Sequence, residues 1–536
     1  MTNKNIAEFR ITRTISEVWR HRIHETNHMK PTHFRHFLAA VFVVVLFSGN
    51  PGSAAQRPDG ELPNVIYILA DDLGYGDVHA LNPERGKIAT PHIDQLAKQG
   101  MAFTDAHTSS SVCTPTRYGI LTGRYNWRTR LQKHVLRGFD RPLIDADRLT
   151  VAGMLKQQGY TTACIGKWHL GLGLPTTTEK SSADKTGKNV DWSGRISGGP
   201  VDLGFDYYYG ISASLDMPPY IYIKNDRFVG SATATKAFNR KGPAHPDFEA
   251  VDVLPEIGHK TVEFIKQQQA DKPFFAYVPF TSPHSPILPS KKWRGKSKLG
   301  KYGDFVMQTD AVIGQIVDAL DAKGLSENTI VIVTSDNGCS RKQAQADKLN
   351  KMGHYPSAQY RGYKSDLWDG GHRVPFIVRW PAQVAAGTTS DQLVCLTDLM
   401  ATCAELTGAT VPENAGEDSV SFVAALDGNP IESARQGVIH HSINGHFSYR
   451  QGKWKLLLST GSGGWSKGET SGGAVGQLYD LDTDPGETTN LYTSQTEVVA
   501  TLLTQLESDV ARGRSTAGAD QKNDVPVNIW KNKKKK

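Results

Sequence analysis

The sequence predicts an α/β fold: a large, mostly parallel central sheet sandwiched by helices, with a smaller C-terminal subdomain made of a short antiparallel sheet and a helix. Three observations predict it. Short β-branched runs alternate with segments of helical spacing from Asn64 to Trp380, the pattern of units that feed a sheet covered on both faces. The runs are short and apolar, as buried strands are. From about Val438 the texture changes to short strands linked by turns, followed by one amphipathic segment.

The elements follow in order. NVIYILADD gives a buried strand, Asn64–Leu69, that ends on two aspartates. Thr90–Gly100 has helical spacing (Ile93, Leu96, Ala97) and stops on a glycine. Helix Leu149–Gln158 leads to strand Tyr160–Ile165, helix Leu254–Gln267 to strand Phe274–Phe280, and helix Phe305–Ala322 to strand Thr329–Thr334; Val374–Trp380 is a further apolar run. VIHHSI, HFSYRQG, KWKLLLST and QLYDLDTDPGE supply the small sheet, and a helix is expected around Glu497–Val510. The domains expected are thus 56–435 and 436–512, with 1–55 as an N-terminal extension and 513–536 as a disordered Lys-rich tail. Thr176–Gly199 is rich in Gly, Ser, Thr and Lys and reads as a surface loop or insertion.

Of the 536 residues 38% are hydrophobic and 9% aromatic, enough to bury a sizeable core and to exclude wholesale disorder. The formal charge of +7 sits at the ends. Residues 1–55 hold seven Lys/Arg against three Glu, and the last six residues hold five lysines, so the body is close to neutral. A nucleic-acid partner is therefore not expected. Met29 opens a run with Lys30 and Arg35, an apolar stretch Phe37–Phe47, and then small residues up to Ala55. That order reads as a secretory signal peptide cut after Ala55, with Met29 as the start, and eleven apolar residues are too few to span a bilayer. A secreted or periplasmic protein without stable membrane insertion is expected. Five cysteines, Cys113, Cys164, Cys339, Cys395 and Cys403, leave one odd thiol in an exported chain; the last four form zero, one or two bridges.

Unusual residues gather just beyond the expected strands, where α/β sheets place functional groups. Asp71-Asp72 follow the first strand, Gly166-Lys167-Trp168-His169 the second, Ser282-Pro283-His284 the third and Asp336-Asn337-Gly338 the fourth. Each alone is compatible with a turn. Together, Asp71, Asp72, Asp336 and Asn337 offer only oxygen, which suits Ca²⁺ or Mg²⁺ rather than zinc. Lys167, His169, His284 and Lys364 supply positive charge and protons. Such a pocket suits a sulfate or phosphate ester. SVCTPTRYGILTGRYNWR adds a helix expected to begin at Cys113, with Pro115 in its first turn and free N–H groups facing an anion. Arg117 lies one turn on. Trp127 and Arg128 are candidates for a substrate-binding pocket mouth, with core packing as the competing reading.

These residues make the chain, from about Asn64 to Leu491, resemble the type I sulfatases, arylsulfatase-like enzymes of the alkaline phosphatase superfamily. CTPTRYGILTGR matches the segment whose cysteine is oxidised to Cα-formylglycine (3-oxoalanine). GKWHLG, LGFDYYYG, SPHSP, TSDNG, GYKSDLWDGG and DPGE match further motifs. Asp369 departs from the family's usual Glu. The resemblance implies an alkaline-phosphatase-like sheet and a Ca²⁺ ion held by Asp71, Asp72, Asp336, Asn337 and residue 113. It implies a hydrated aldehyde at 113 as nucleophile, held by Arg117 and Lys167. His284, with Lys364, would protonate the leaving alcohol, and His169 would act as the base that regenerates the aldehyde. A maturation enzyme that forms formylglycine is an implied partner. The expected reaction is hydrolysis of a sulfate monoester, on a sulfated polysaccharide or glycosaminoglycan fragment. The alternatives are a phosphate or phosphonate ester hydrolase of the same superfamily and an inactive binding protein for sulfated glycans.

Overall fold

Five strands form the parallel heart of the molecule, and each is buried almost throughout on both faces. The computed structural model describes residues 61–531 except 180–181, 433–434 and 469–473, so the expected signal segment lies outside the described residues. In chain order the main-sheet strands are β1 (Asn64–Asp71), β2 (Met101–Phe103), β3 (Thr161–Lys167), β4 (Tyr207–Ile211), β5 (Ile223–Lys224), β6 (Arg227–Phe228), β7 (Phe274–Pro283), β8 (Thr329–Ser335), β9 (Phe376–Arg379) and β10 (Thr388–Ser390). They lie in the order β10-β2-β9-β8-β1-β7-β3-β4-β5-β6. β8, β1, β7, β3 and β4 are mutually parallel; β9 joins antiparallel to β8, and β5 antiparallel to β4. The sheet is therefore parallel at its centre and mixed at its margins.

Alternation along β1 sends its side chains to two separate cores. Val65, Tyr67 and Leu69 pack on one face, Ile66, Ile68 and Ala70 on the other. The first face is covered by α2 (Cys113–Thr122), α3 (Val151–Gln157) and α6 (Leu399–Thr407). The second is covered by α1 (Pro91–Gln99), α4 (Val253–Gln267) and α5 (Lys301–Lys323). The helix boundaries lie within a few residues of those expected from periodicity. α2 ends on Gly123, whose φ of +62° is the left-handed cap that glycine adopts without strain. The described residues of 176–199 form a loop, but Val190 and Ile196 are buried in the first core. All five cysteines are buried and free, so no bridge forms among Cys164, Cys339, Cys395 and Cys403.

The small antiparallel sheet is β11 (Val438–His441), β12 (Phe447–Gln451), β13 (Trp454–Leu457) and β14 (Gln477–Asp480), with α7 (Thr496–Ala511) against it. Tyr125 and Trp127, which follow α2, enter the same hydrophobic cluster as Phe447, Leu456 and Leu506, so the two parts share a core across the expected boundary at 435. Where the sequence suggests a disordered tail, residues 513–531 hold defined contacts. Asp524 accepts from Arg124 at 2.9 Å, Asn523 accepts from Arg128 at 3.0 Å, and Ile529 is buried. Buried guanidinium groups require acceptors, and this segment supplies them. No helix among the described residues is long and apolar enough to cross a membrane.

Candidate active site

The carboxyl ends of β1, β7, β3 and β8 bring the predicted clusters together. Asp71, Asp72, Cys113 and His284 each present one ligand atom within 4.8 Å of the others'. Asp72 reaches this position with φ +69° and His169 with φ +58°, left-handed conformations that non-glycine residues adopt at a cost and that concentrate at functional sites. Cys113 is the first residue of α2, and no side chain caps that helix. Its thiol therefore sits beside unpaired backbone N–H groups at the positive end of the helix.

Charge is tightly interleaved around these atoms. Lys167 Nζ donates to Asp71 Oδ2 at 2.6 Å and to Ser214 Oγ at 3.3 Å. Lys364 Nζ donates to Asp72 Oδ1 at 2.5 Å and lies 3.6 Å from Cys113 Sγ. Asn337 Nδ2 also donates to Asp72 Oδ1, at 2.7 Å, and Asp336 Oδ1 accepts from the Asp72 N–H at 3.2 Å. Burial pushes the Asp71 carboxyl up, but Lys167, His284 and Arg117 together outweigh it and hold the group well below the usual range. Burial, then Asp71, raise Asp336 to about 6. Burial raises the Cys113 thiol to about 11, more than Lys167 and Lys364 lower it. An unmodified thiol at this position is protonated at neutral pH, a weak nucleophile and a soft, mismatched ligand.

The donor set fits a hard cation. Asp71 Oδ1, Asp72 Oδ2 and Asn337 Oδ1 are buried oxygens with no hydrogen-bond partner, and buried oxygens of this kind are normally satisfied. All three belong to residues predicted to bind the metal. Of the remaining predicted ligands, Asp336 has both oxygens engaged, by Asp72 N–H and by Arg117.

The proton-carrying residues are arranged unequally. His169 Nε2 donates to the Leu136 carbonyl at 2.8 Å, which leaves Nδ1 as a buried lone pair with no partner. Burial, with Lys167 and Arg117 adding to it, pushes the imidazole well below its ordinary pKa, so it is neutral. His284 Nδ1 donates to the Ser285 carbonyl at 2.6 Å, and Nε2 faces Asp72 Oδ2 at 3.8 Å.

Three predicted residues sit elsewhere. Arg117 is fully buried under the site, with Nε and Nη2 on Asp336 Oδ2 at 3.1 and 2.7 Å and Nη1 on the Lys167 carbonyl at 3.1 Å. It clamps the strand ends together and does not line the cavity. Trp127 and Arg128 do not form a pocket mouth: both are fully buried. Trp127 stacks on Tyr125 and meets Phe447 edge-on, while Arg128 makes a double hydrogen bond to Asp418 at 2.8–2.9 Å. Apolar demand between sheet and subdomain decides this, and the guanidinium is buried with its counter-ion.

The cavity over Cys113 has a volume of about 500 Å³ and is lined also by Arg137, Ser214, Arg240, Gln343 and Trp465. Sequence reasoning missed these. Ser214 was findable, because it follows β4 as the other clusters follow their strands. Trp465 carries no such signal. A second group, His107, His372 and His440, also brings ring nitrogens together. The His372 and His440 rings, however, stack at 3.8 Å within 14° of parallel. Imidazole lone pairs lie in the ring plane, so two stacked rings do not converge on one ion, and this group is packing.

The departure at Asp369 is also resolved. Asp369 Oδ1 accepts from Lys455 at 2.6 Å and Oδ2 from Arg373 at 3.0 Å, while its N–H donates to Glu487 of the DPGE motif at 2.6 Å. The shorter acid is thus fully satisfied, in a turn whose Gly371 carbonyl accepts from Gly338 N–H beside the site.

Comparison with known proteins agrees with this geometry. The family model described as Sulfatase matches residues 63–409, and one described as N-sulphoglucosamine sulphohydrolase, C-terminal, matches 363–514. An N-acetylgalactosamine-6-O-sulfatase of Bacteroides thetaiotaomicron is 34% identical, covering 84% of this chain and 94% of that protein. Human arylsulfatase A is 30% identical over 82% of this chain and 84% of its own length. A solved Bacteroides thetaiotaomicron sulfatase, described with the metabolism of multiple glycosaminoglycans, superposes with a TM-score of 0.73 at 33% identity, covering 83% of this chain and 99% of that one. The chain therefore belongs to the sulfatase family, as a type I member of the alkaline phosphatase superfamily.

Proposed function

We propose that this sulfuric ester hydrolase cleaves a sulfate monoester on a sulfated carbohydrate, with position 113 oxidised to formylglycine and Ca²⁺ as the resident ion. The observation that carries this is that Cys113, Asp72 and Lys364 line one cavity, with Asp71 and Asn337 buried against Asp72 and an orphaned oxygen on each of Asp71, Asp72 and Asn337. Asp71, Asp72, Asn337 and residue 113, with Asp336 beside them, would hold the cation, which supplies charge stabilisation to the sulfate oxygens. Formylglycine, hydrated, offers an oxygen nucleophile with a second hydroxyl in reserve, where a thiol pushed up to about 11 offers neither.

The chain's own residues then divide the work. Lys364, bonded to Asp72 and 3.6 Å from the side chain of 113, keeps a permanent positive charge against the reacting group. Lys167 holds Asp71 in its ionised state and orients Ser214 towards His284. His284 is the candidate proton donor to the leaving alcohol. His169, neutral and with an unpartnered Nδ1 in the same cavity, is the candidate base that takes a proton from residue 113. Arg117 acts as a positioning residue through Asp336. The relative that acts on N-acetylgalactosamine 6-sulfate, together with the export signal expected around Met29, supports a secreted or periplasmic enzyme acting on glycosaminoglycan fragments.

Two measurements test the reading. The tryptic peptide containing residue 113 is expected to be about 18 Da lighter than the cysteine form, as thiol-to-aldehyde conversion requires. Sulfate and phosphate esters of one phenol are then compared. Faster release from the sulfate ester is expected; preference for the phosphate ester, or full activity from an unmodified thiol, overturns the proposal.

A further inference from the structure

Among the described residues four large hydrophobic side chains are exposed: Val229, Met352, Trp465 and Val475. Only Trp465 is aromatic, and it is also the only one of the four that lines the cavity over Cys113. Its exposure is 60%, unusual for the side chain that gains most from burial. Its backbone, by contrast, is pinned. The Trp465 N–H donates to Ser365 Oγ at 3.0 Å and to Asp366 Oδ1 at 3.1 Å, and the Ser466 N–H donates to the same carboxylate at 3.1 Å. Ser365 is in turn tied to the segment before the nucleophile, its N–H donating to the Ser111 carbonyl at 2.8 Å. The indole is thus mounted on the loop that carries Lys364, at a fixed place relative to the reacting centre, with most of its surface exposed.

A rigid base under an exposed ring is what a stacking platform requires, since little ordering is left to be done on binding. The rest of the rim is polar. Arg137 lines the same cavity, and although its backbone N–H donates to Asp140, its guanidinium forms no ion pair with a carboxylate among the described residues, whereas Arg240 is already paired with Asp216. One aromatic face beside an anion pocket of about 500 Å³ fits a small amphipathic ligand rather than a protein partner. A pyranose matches: its axial C–H groups make one apolar face, and its hydroxyls point outward to the polar rim.

Resting on the sulfatase reading above, we infer that Trp465 is the platform on which the pyranose ring of the leaving alcohol stacks while its sulfate occupies the Lys364–Cys113 pocket. The ring contact is made before and during reaction alike, so it contributes uniform binding, which appears in KM rather than kcat.

The test uses the mature, Ca²⁺-loaded enzyme with a panel of sulfated pyranoses headed by N-acetylgalactosamine 6-sulfate. On the best-cleaved sugar, Trp465→Ala is expected to raise KM about tenfold while kcat falls less than threefold, as loss of a central aromatic contact does. Trp465→Phe is expected to stay within about threefold of the native KM, because a ring face remains. Inhibition by inorganic sulfate, which fills only the anion pocket, is expected to be unchanged in both. An unaltered KM in Trp465→Ala, or a parallel loss of sulfate inhibition, overturns the platform. If the native enzyme cleaves an aryl sulfate but neither cleaves nor binds any sugar of the panel, the platform falls and the sulfatase reading stands. If it cleaves no sulfate ester, that reading fails. Calorimetric titration of the panel into native and Trp465→Ala protein then decides the platform separately, with equal affinities overturning it.

Discussion

Replacing Lys455 with methionine removes the single cation shared by two buried acids. Lys455, Asp369 and Glu487 are all fully buried or nearly so, and Lys455 Nζ bonds both Asp369 Oδ1 at 2.6 Å and Glu487 Oε1 at 2.8 Å. Without it Asp369 keeps Arg373, while the Glu487 carboxylate keeps, among the described residues, only the Asp369 N–H. Breaking a buried pair from one side costs about 3–5 kcal/mol. A chain of this size has an unfolding entropy of about 1 kcal/mol/K, so the melting temperature should fall by about 3–5 °C. The pH dependence carries a definite sign. Burial raises Glu487 to about 7; Lys455 opposes this and Asp369 adds to it. A raised carboxyl stabilises the fold below its unfolded pKa of about 4.5, and that stability is lost as pH rises towards 7. Removing Lys455 raises Glu487 further, so the deficit against the native protein should widen between pH 7 and 9. Differential scanning calorimetry at one scan rate, from pH 6 to 9, measures this, and Glu487→Gln in the Lys455→Met background should restore part of the loss at pH 8. A variant melting within 1 °C of native throughout, or a deficit that shrinks as pH rises, would refute the reasoning.

Other outcomes follow from the same structure. Arg128→Met should destabilise by about 3–5 kcal/mol by stranding Asp418, yet leave KM for any sulfate ester unchanged; steady-state kinetics on the folded fraction separates the two effects. Ca²⁺ added at a hundredfold excess over its dissociation constant should stabilise the enzyme by about 2.7 kcal/mol, seen as a higher melting temperature that Asp72→Asn abolishes. Burial, with Lys531 adding to it, depresses His441 to about 3. Its neutral form is thus favoured in the fold, and stability should be lost as pH falls from 6.5, by about 1.4 kcal/mol per unit. His441→Phe should flatten that slope in urea titrations at pH 5 and 7. Arg117→Lys should raise the Ca²⁺ concentration needed for half-maximal activity, since one amine cannot replace the three bonds made to Asp336 and the Lys167 carbonyl.

What the sequence determined by itself was whatever local chemistry dictates. Runs such as VIYIL and IVIV are apolar at every position, and a strand covered on both faces satisfies them. Aspartates directly after such a run fall at a strand end, and this is what places Asp71, Asp72, Asp336 and Asn337 together. Cys113 followed by Pro115 likewise determined a helix start. Tertiary structure alone decided which side chains face inward in the segments between. Trp127 and Arg128 carry the composition of a binding rim, yet they fill the seam between sheet and subdomain because that apolar gap had to be closed. Trp465 sits in a polar, glycine-rich stretch with no periodicity, and only the fold of the 365–366 loop carries it to the nucleophile from 352 residues away in the chain. Arg117 was near the site by spacing, but its direction depended on where β8 delivered Asp336. Patterns report which residues prefer burial; which of several candidates is buried is settled by long-range packing.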